Sequence, residues 1–135
     1  MEALELIGRL LFVTMFVESG INHFRHRENM VAYARSMGGP APALTVPLTG
    51  LMIAAGGVMV ALGVLPDLGA LLIAAFLVPT AYFMHAWWKV DDAMMRMNQR
   101  IHFMKNLSLA GASLALAALY ASCDTFGWHL TGPLF

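Results

Sequence analysis

The sequence predicts an all-α integral membrane four-helix bundle, and three observations carry that prediction. Hydrophobic residues make up 59% of the chain and charged residues 12%, where soluble globular domains run at about 45–50% and about 25%. Four apolar stretches each approach the roughly 20 residues that a helix needs to cross a bilayer. None alternates with the period of two expected of a strand, and Leu, Ala and Met dominate. A backbone in lipid must satisfy its own hydrogen bonds, which makes helix the spanning form here. At 135 residues the length fits one transmembrane domain over residues 1–135.

The first span is predicted from about Leu4 to Ile21. The acidic start Met1-Glu2-Ala3-Leu4-Glu5-Leu6 lacks the positive charge and small-residue cleavage site of a signal peptide, so this segment is expected to stay as a helix. Arg9 follows Glu5 by four residues, which predicts a surface ion pair near the helix end. Gly38-Gly39-Pro40-Ala41-Pro42 cannot continue a helix and introduces the second span, about Leu44 to Leu65. That span carries Gly50, Ala54, Ala55, Gly56, Gly57, Ala61 and Gly63, and small residues four apart allow helices to approach closely in lipid.

Leu65-Pro66-Asp67 reads as a tight turn, making spans two and three antiparallel neighbours. Span three runs from about Leu68 to Trp88. Pro79 within it withholds a backbone donor and predicts a kink. Trp87 and Trp88 sit where an aromatic belt belongs. The polar segment Val90 to Arg100 is expected to lie along the membrane surface, partly helical, with Met94 and Met95 dipping into the interface. Span four covers about Phe103 to Ser122, and Phe126, Trp128 and Phe135 in the tail would anchor the opposite interface.

The charge balance excludes some functions and orients the chain. Net charge is zero, which argues against nucleic acid because phosphate neutralisation needs a basic excess. The single Cys123 permits neither an intrachain disulfide nor a Cys-x-x-Cys redox pair. It reads as a small apolar residue. Arg25, Arg27 and Arg35 lie between spans one and two, and Lys89, Arg96, Arg100 and Lys105 lie between spans three and four. Only Arg9 lies elsewhere. The positive-inside rule therefore predicts a multi-pass protein of the cell (inner) membrane with both termini, and Cys123, on the non-cytoplasmic side.

Polar residues within spans are functional candidates. Thr14, Glu18 and Asn22 fall at i, i+4 and i+8 on one face of span one. Tyr82, His85 and Lys89 share a face of span three, and His102, Asn106 and Ser113, with Lys105 alongside, share one of span four. All except Thr14 and Ser113 belong to the positively charged end. A quinone head group needs a hydrogen-bonding or protonatable group at each carbonyl beside an apolar cleft. Glu18, His85 and His102 are offered for protons, Asn22, Lys105 and Asn106 for binding, and Tyr82, Trp87 or Phe103 for the cleft. The structural alternative is that Glu18 pairs with Lys105 and the histidines bond backbone or lipid phosphate. His23-x-x-His26, His85 and His102 follow no recognised ligand spacing, so no metal site is predicted. The nearness of His85 and His102 to the surface also disfavours haem.

Several strings together resemble the DoxX family of small four-helix membrane proteins. They are Gly8-Arg9-Leu10-Leu11-Phe12, Gly20-Ile21-Asn22-His23-Phe24, Tyr33, the Gly38 to Pro42 turn, and Gly56-Gly57-Val58 to Gly63. The most specific is His102-Phe103-Met104-Lys105-Asn106-Leu107-Ser108-Leu109-Ala110-Gly111. The resemblance implies a four-helix membrane bundle. The family's name comes from a subunit associated with a thiosulfate:quinone oxidoreductase or terminal oxidase, and other relatives are linked to oxidative-stress and thiol-handling partners. Relatives often carry an acidic residue in span two before the Gly-Gly pair, whereas Leu51 to Ala55 here is wholly apolar. The expectation is a redox-associated membrane protein contacting quinone or an oxidoreductase partner that supplies the electron carrier. The alternatives are a non-catalytic assembly or anchoring subunit and, further off, a small-solute or lipid transporter. Membrane lipid is an expected partner. Enzymatic activity and homo-oligomer formation stay open.

Overall fold

A computed structural model describes residues 2–122 and 127–135. Cys123 and Phe126 lie outside the described residues. Four long helices form the bundle: α1 (Glu2–Arg25), α3 (Pro42–Leu62), α4 (Pro66–Met84) and α5 (Ala93–Ser122). A short helix α2 (Arg27–Ser36) follows α1, and a single 3₁₀ turn (Trp87–Lys89) follows α4. α3, α4 with the turn after it, and α5 are long and apolar enough to cross a membrane. α1 has the length, at 24 residues, but carries Glu2, Glu5, Arg9, Glu18 and Arg25, which lower its apolar content.

The chain's punctuation explains the helix ends. Pro42 and Pro66 open α3 and α4, positions where a missing N–H costs no intrahelical bond. Gly63 closes α3 at φ +61°, and Val64 N–H then donates to the Met59 carbonyl at 2.9 Å, as in a Schellman turn. α4 continues through Pro79, and α3 through Pro47. One expectation needs correction. The segment from Val90 to Arg100 is no separate surface piece, because α5 begins at Ala93 and runs unbroken for 30 residues. The Asp92 carboxylate accepts from Met95 N–H at 2.8 Å and caps this start. Thirty residues rise about 45 Å against a hydrocarbon core of about 30 Å, so the first polar turns project beyond the apolar span.

α1 packs on α3, α3 on α4, and α4 on α5, while α2 leans on α3. The buried stripe of α1 is Arg9, Val13, Phe16, Gly20 and His23; that of α5 is Asn106, Ala110, Ser113, Ala117 and Tyr120. Both follow a 4-3-4-3 spacing, the seam of near-parallel helices. Glycines let α3 approach both neighbours. A Cβ on Gly20 would lie 2.7 Å from the Gly50 carbonyl oxygen, and one on Gly56 2.8 Å from that of Gly69. Phe16, Ile53, Val60, Ile73 and Leu77 fill the centre.

The tail crosses the end of the bundle where α1 begins. Leu130 N–H donates to Leu62 O and Thr131 N–H to Gly63 O, at 3.2 and 3.1 Å. Leu134 and Phe135 N–H both donate to the buried Asp67 carboxylate at 2.9 Å. The expected surface pair of Glu5 and Arg9 is corrected here. Arg9 is only 2% exposed, with Nε 3.7 Å from Glu5 Oε1 and Nη2 donating to the Trp128 carbonyl. Burial follows because the docked tail covers a position that an isolated helix would leave open.

Candidate functional site

At the opposite end, α1, α3 and α4 line a cleft of 590 Å³ beneath α2. Apolar side chains dominate its wall, among them Val46, Phe76, Pro79 and Phe83. Two histidines stand in this lining, His23 from α1 and His85 at the end of α4. His23 belongs to the buried seam of α1, 7% exposed. Its Nδ1 lies 2.7 Å from the Ser19 carbonyl and its ring meets Phe76 edge-on at 5.9 Å.

His85 sits in a polar knot that ties α2 to α4 and α5. Tyr33 of α2 donates its hydroxyl proton to the Met84 carbonyl at 3.0 Å. Gln99 of α5 donates to the Tyr33 oxygen at 3.4 Å, and its Oε1 lies 2.8 Å from His85 Nδ1. The His102 ring stacks on His85 with centroids 5.2 Å apart. Outside this knot lie further aromatic contacts: Tyr82 with Trp88 at 5.7 Å, Trp88 with Phe103 at 5.7 Å, and Arg100 over the Trp87 ring at 5.6 Å.

The residues singled out from the sequence therefore divide. His85 and His102 come together, and Lys105 and Asn106 follow one turn along α5, the first exposed and the second buried. Tyr82 is 60% exposed and packs its ring against Phe83 and Trp88 rather than into the cleft. Glu18 is exposed and Asn22 half-buried. The cleft is lined instead by the next residue of each, Ser19 and His23, a rotation of about 100° around the helix axis. Glu18 forms no ion pair with Lys105 among the described residues, so the structural pairing considered above is not made. No group of three or more metal-ligating side chains occurs among the described residues.

Residues missed from sequence are His23, Tyr33 and Gln99 as cleft or knot members. The 4-3-4-3 run from Arg9 to His23 was the available signal for the first. Asp92 as a cap signalled that Gln99 lies on the last helix, but the meeting of Tyr33 with Gln99 depends on how α2 folds back.

An all-helical membrane protein with a histidine-bearing cleft at one end of its bundle is thus defined by fold and site. The DoxX family model matches residues 4–86, and the chain belongs to the DoxX family. It is 31% identical to "Inner membrane protein YphA" of Escherichia coli (strain K12) over 112 residues, covering 83% of this chain and 79% of that relative. No solved structure matches the chain.

Proposed function

We propose that this DoxX protein is a redox-associated membrane component that holds a quinone in the cleft beneath α2, with electrons supplied by a partner oxidoreductase. The observation that carries this reading is the cleft itself, 590 Å³ of mostly apolar wall with one histidine from α1 and one from the end of α4. Ligand sites of about 300–1,000 Å³ combine apolar walls with a few fixed polar groups. A quinone ring matches that pattern, with a polar atom at each end of a flat apolar body. Val46 and Thr49 of α3 and Pro79 and Phe83 of α4 line the same cleft, and an isoprenoid tail would leave between these two helices into lipid.

The test is extraction of quinone, oxidised and reduced forms counted together, from protein purified in mild detergent. Wild type is expected to carry it. His23→Leu and His85→Leu are each expected to lose about tenfold in occupancy, the effect of one lost hydrogen bond of roughly 1.4 kcal/mol. His26→Leu, outside the cleft lining, should retain it. Wild type carrying no more quinone than detergent-matched unrelated helices would overturn the reading.

The same proposal places the α2 end in the cytoplasm, because Arg25, Arg27, Arg35, Lys89, Arg96, Arg100 and Lys105 all cluster there. In a Cys123→Ser background, a membrane-impermeant maleimide should label Gly132→Cys in intact cells and reach Arg35→Cys only after lysis. The reverse pattern would invert the topology.

A further inference from the structure

The hydrogen-bond polarity of the cleft follows from the partners its side chains already have. A backbone carbonyl can only accept, so the Tyr33 hydroxyl proton is committed to Met84 O at 3.0 Å. The Tyr33 oxygen therefore accepts, and the Gln99 NH₂ group must face it at 3.4 Å. That orientation turns Gln99 Oε1 toward His85 Nδ1 at 2.8 Å. An amide oxygen cannot donate, so the proton lies on His85 Nδ1. His23 reaches the same state by a shorter route, its Nδ1 lying 2.7 Å from the Ser19 carbonyl.

A neutral imidazole carries one N–H, and the partner of one nitrogen decides the role of the other. Both Nε2 atoms are therefore lone-pair acceptors. Neither has a hydrogen-bond partner among the described residues, and neither is sealed from the surrounding space. The two threonines of the α3 wall match this polarity. Thr45 and Thr49 already donate to the carbonyls of Pro40 and Thr45 at 3.0 and 2.7 Å, so each offers only its oxygen. The Ser19 and Thr80 hydroxyls, and the exposed Asn29 amide, can suit either polarity and do not discriminate.

We infer that the cleft selects a ligand bearing hydrogen-bond donors, a para-diphenol such as a quinol, over the dicarbonyl quinone of the same shape. This rests on the cleft being the quinone site proposed above. A quinol hydroxyl donates to an Nε2 lone pair, whereas a quinone carbonyl would oppose lone pair to lone pair. Sites that hydrogen-bond a substrate hydroxyl discriminate strongly against the analogue lacking it. Tyr33 and Gln99 act as positioning residues, since they hold the His85 tautomer.

The experiment compares ubiquinol-1 with ubiquinone-1, measured anaerobically by equilibrium dialysis against the full chain in lipid nanodiscs, with empty nanodiscs subtracted. Ubiquinol-1 is expected to bind at least tenfold more tightly. Tyr33→Phe and Gln99→Leu should each bring that ratio toward parity while leaving the quinone form bound, a change that general loss of packing would not produce. Either variant serves if the other fails to fold, judged by helicity and a monodisperse elution. Equal affinity of wild type for the two forms, or tighter binding of ubiquinone-1, would overturn the polarity inference and leave the quinone site standing. Binding of neither form would overturn the quinone site instead.

Discussion

Gly50→Val should collapse both the packing of α1 on α3 and the cleft. A side chain at Gly50 would collide with Cβ of His23 and sit 3.2 Å from the Gly20 carbonyl oxygen. Gly20 is as constrained in return, its own Cβ position lying 2.7 Å from Ala54 Cβ. Neither backbone can yield alone, because Gly50, Ala54 and Gly57 meet α1 while Gly56 of the same helix meets α4. Overpacking of this kind costs about 1–3 kcal/mol where flexible side chains can shift, and here the obstacles include backbone. A loss at the upper end of that range is expected for Gly50→Val in mixed-micelle unfolding. His23 is also pushed from the cleft wall, so quinone occupancy should fall with stability. Gly111→Ala is the control. Gly111 has nothing within 4 Å of its Cβ position, so this change should be neutral or stabilising, by up to about 1 kcal/mol of helix propensity. Equal behaviour of Gly50→Val and Gly111→Ala would sink the packing argument.

That contrast also shows what could be read in advance. The small residues of α3 were legible as a packing surface, since close approach in lipid favours small side chains whatever the partner. Which face of α1 meets them was harder to see. Thr14, Glu18 and Asn22 form a polar stripe, but the interior is approached by Arg9, Val13, Phe16, Gly20 and His23. In a soluble helix the apolar face would mark the core. In lipid both faces are apolar, hydrophobic periodicity fades, and spacing and residue size carry the message. His85 and His102 could be placed at one end together because helix direction settled which ends lie side by side, and their rings stack. The His85 partner Gln99 was obscured by reading residues 90–100 as a separate polar segment. Asp92, three residues before Met95 whose N–H it accepts, was the capping signal for a helix already under way. The tail could not be foreseen from side-chain pattern at all. It is held mostly through its own backbone groups, as in the donations from residues 130 and 131 to residues 62 and 63 and from residues 127 and 134 to the Glu5 and Asp67 carboxylates.

Arg9→Met should be the most damaging single change at the tail end of the bundle. The Arg9 guanidinium lies where three segments meet and hydrogen-bonds one of them, the tail. Its Nε approaches Glu5 of α1, its Nη2 donates to the Trp128 carbonyl, and its Nη1 lies 3.0 Å from the Cβ position of Gly63 at the end of α3. Glu5 in turn accepts from Gly127 N–H at 2.8 Å. Removing one member of a buried ion pair typically costs about 3–5 kcal/mol, because the remaining charge stays poorly compensated. Glu5 is 32% exposed, so water relieves part of that penalty and a loss near 3 kcal/mol is expected. Arg9→Lys should recover little, since an ammonium lacks the planar fork that serves a carboxylate and a carbonyl together. The tail is the direct readout. Carboxypeptidase should trim residues 127–135 faster in Arg9→Met than in wild type, even at temperatures where the bundle stays folded. A double-mutant cycle with Glu5→Gln isolates the pair. A coupling under about 0.5 kcal/mol, with trimming unchanged, would mean that Arg9 is buried without holding the tail in place.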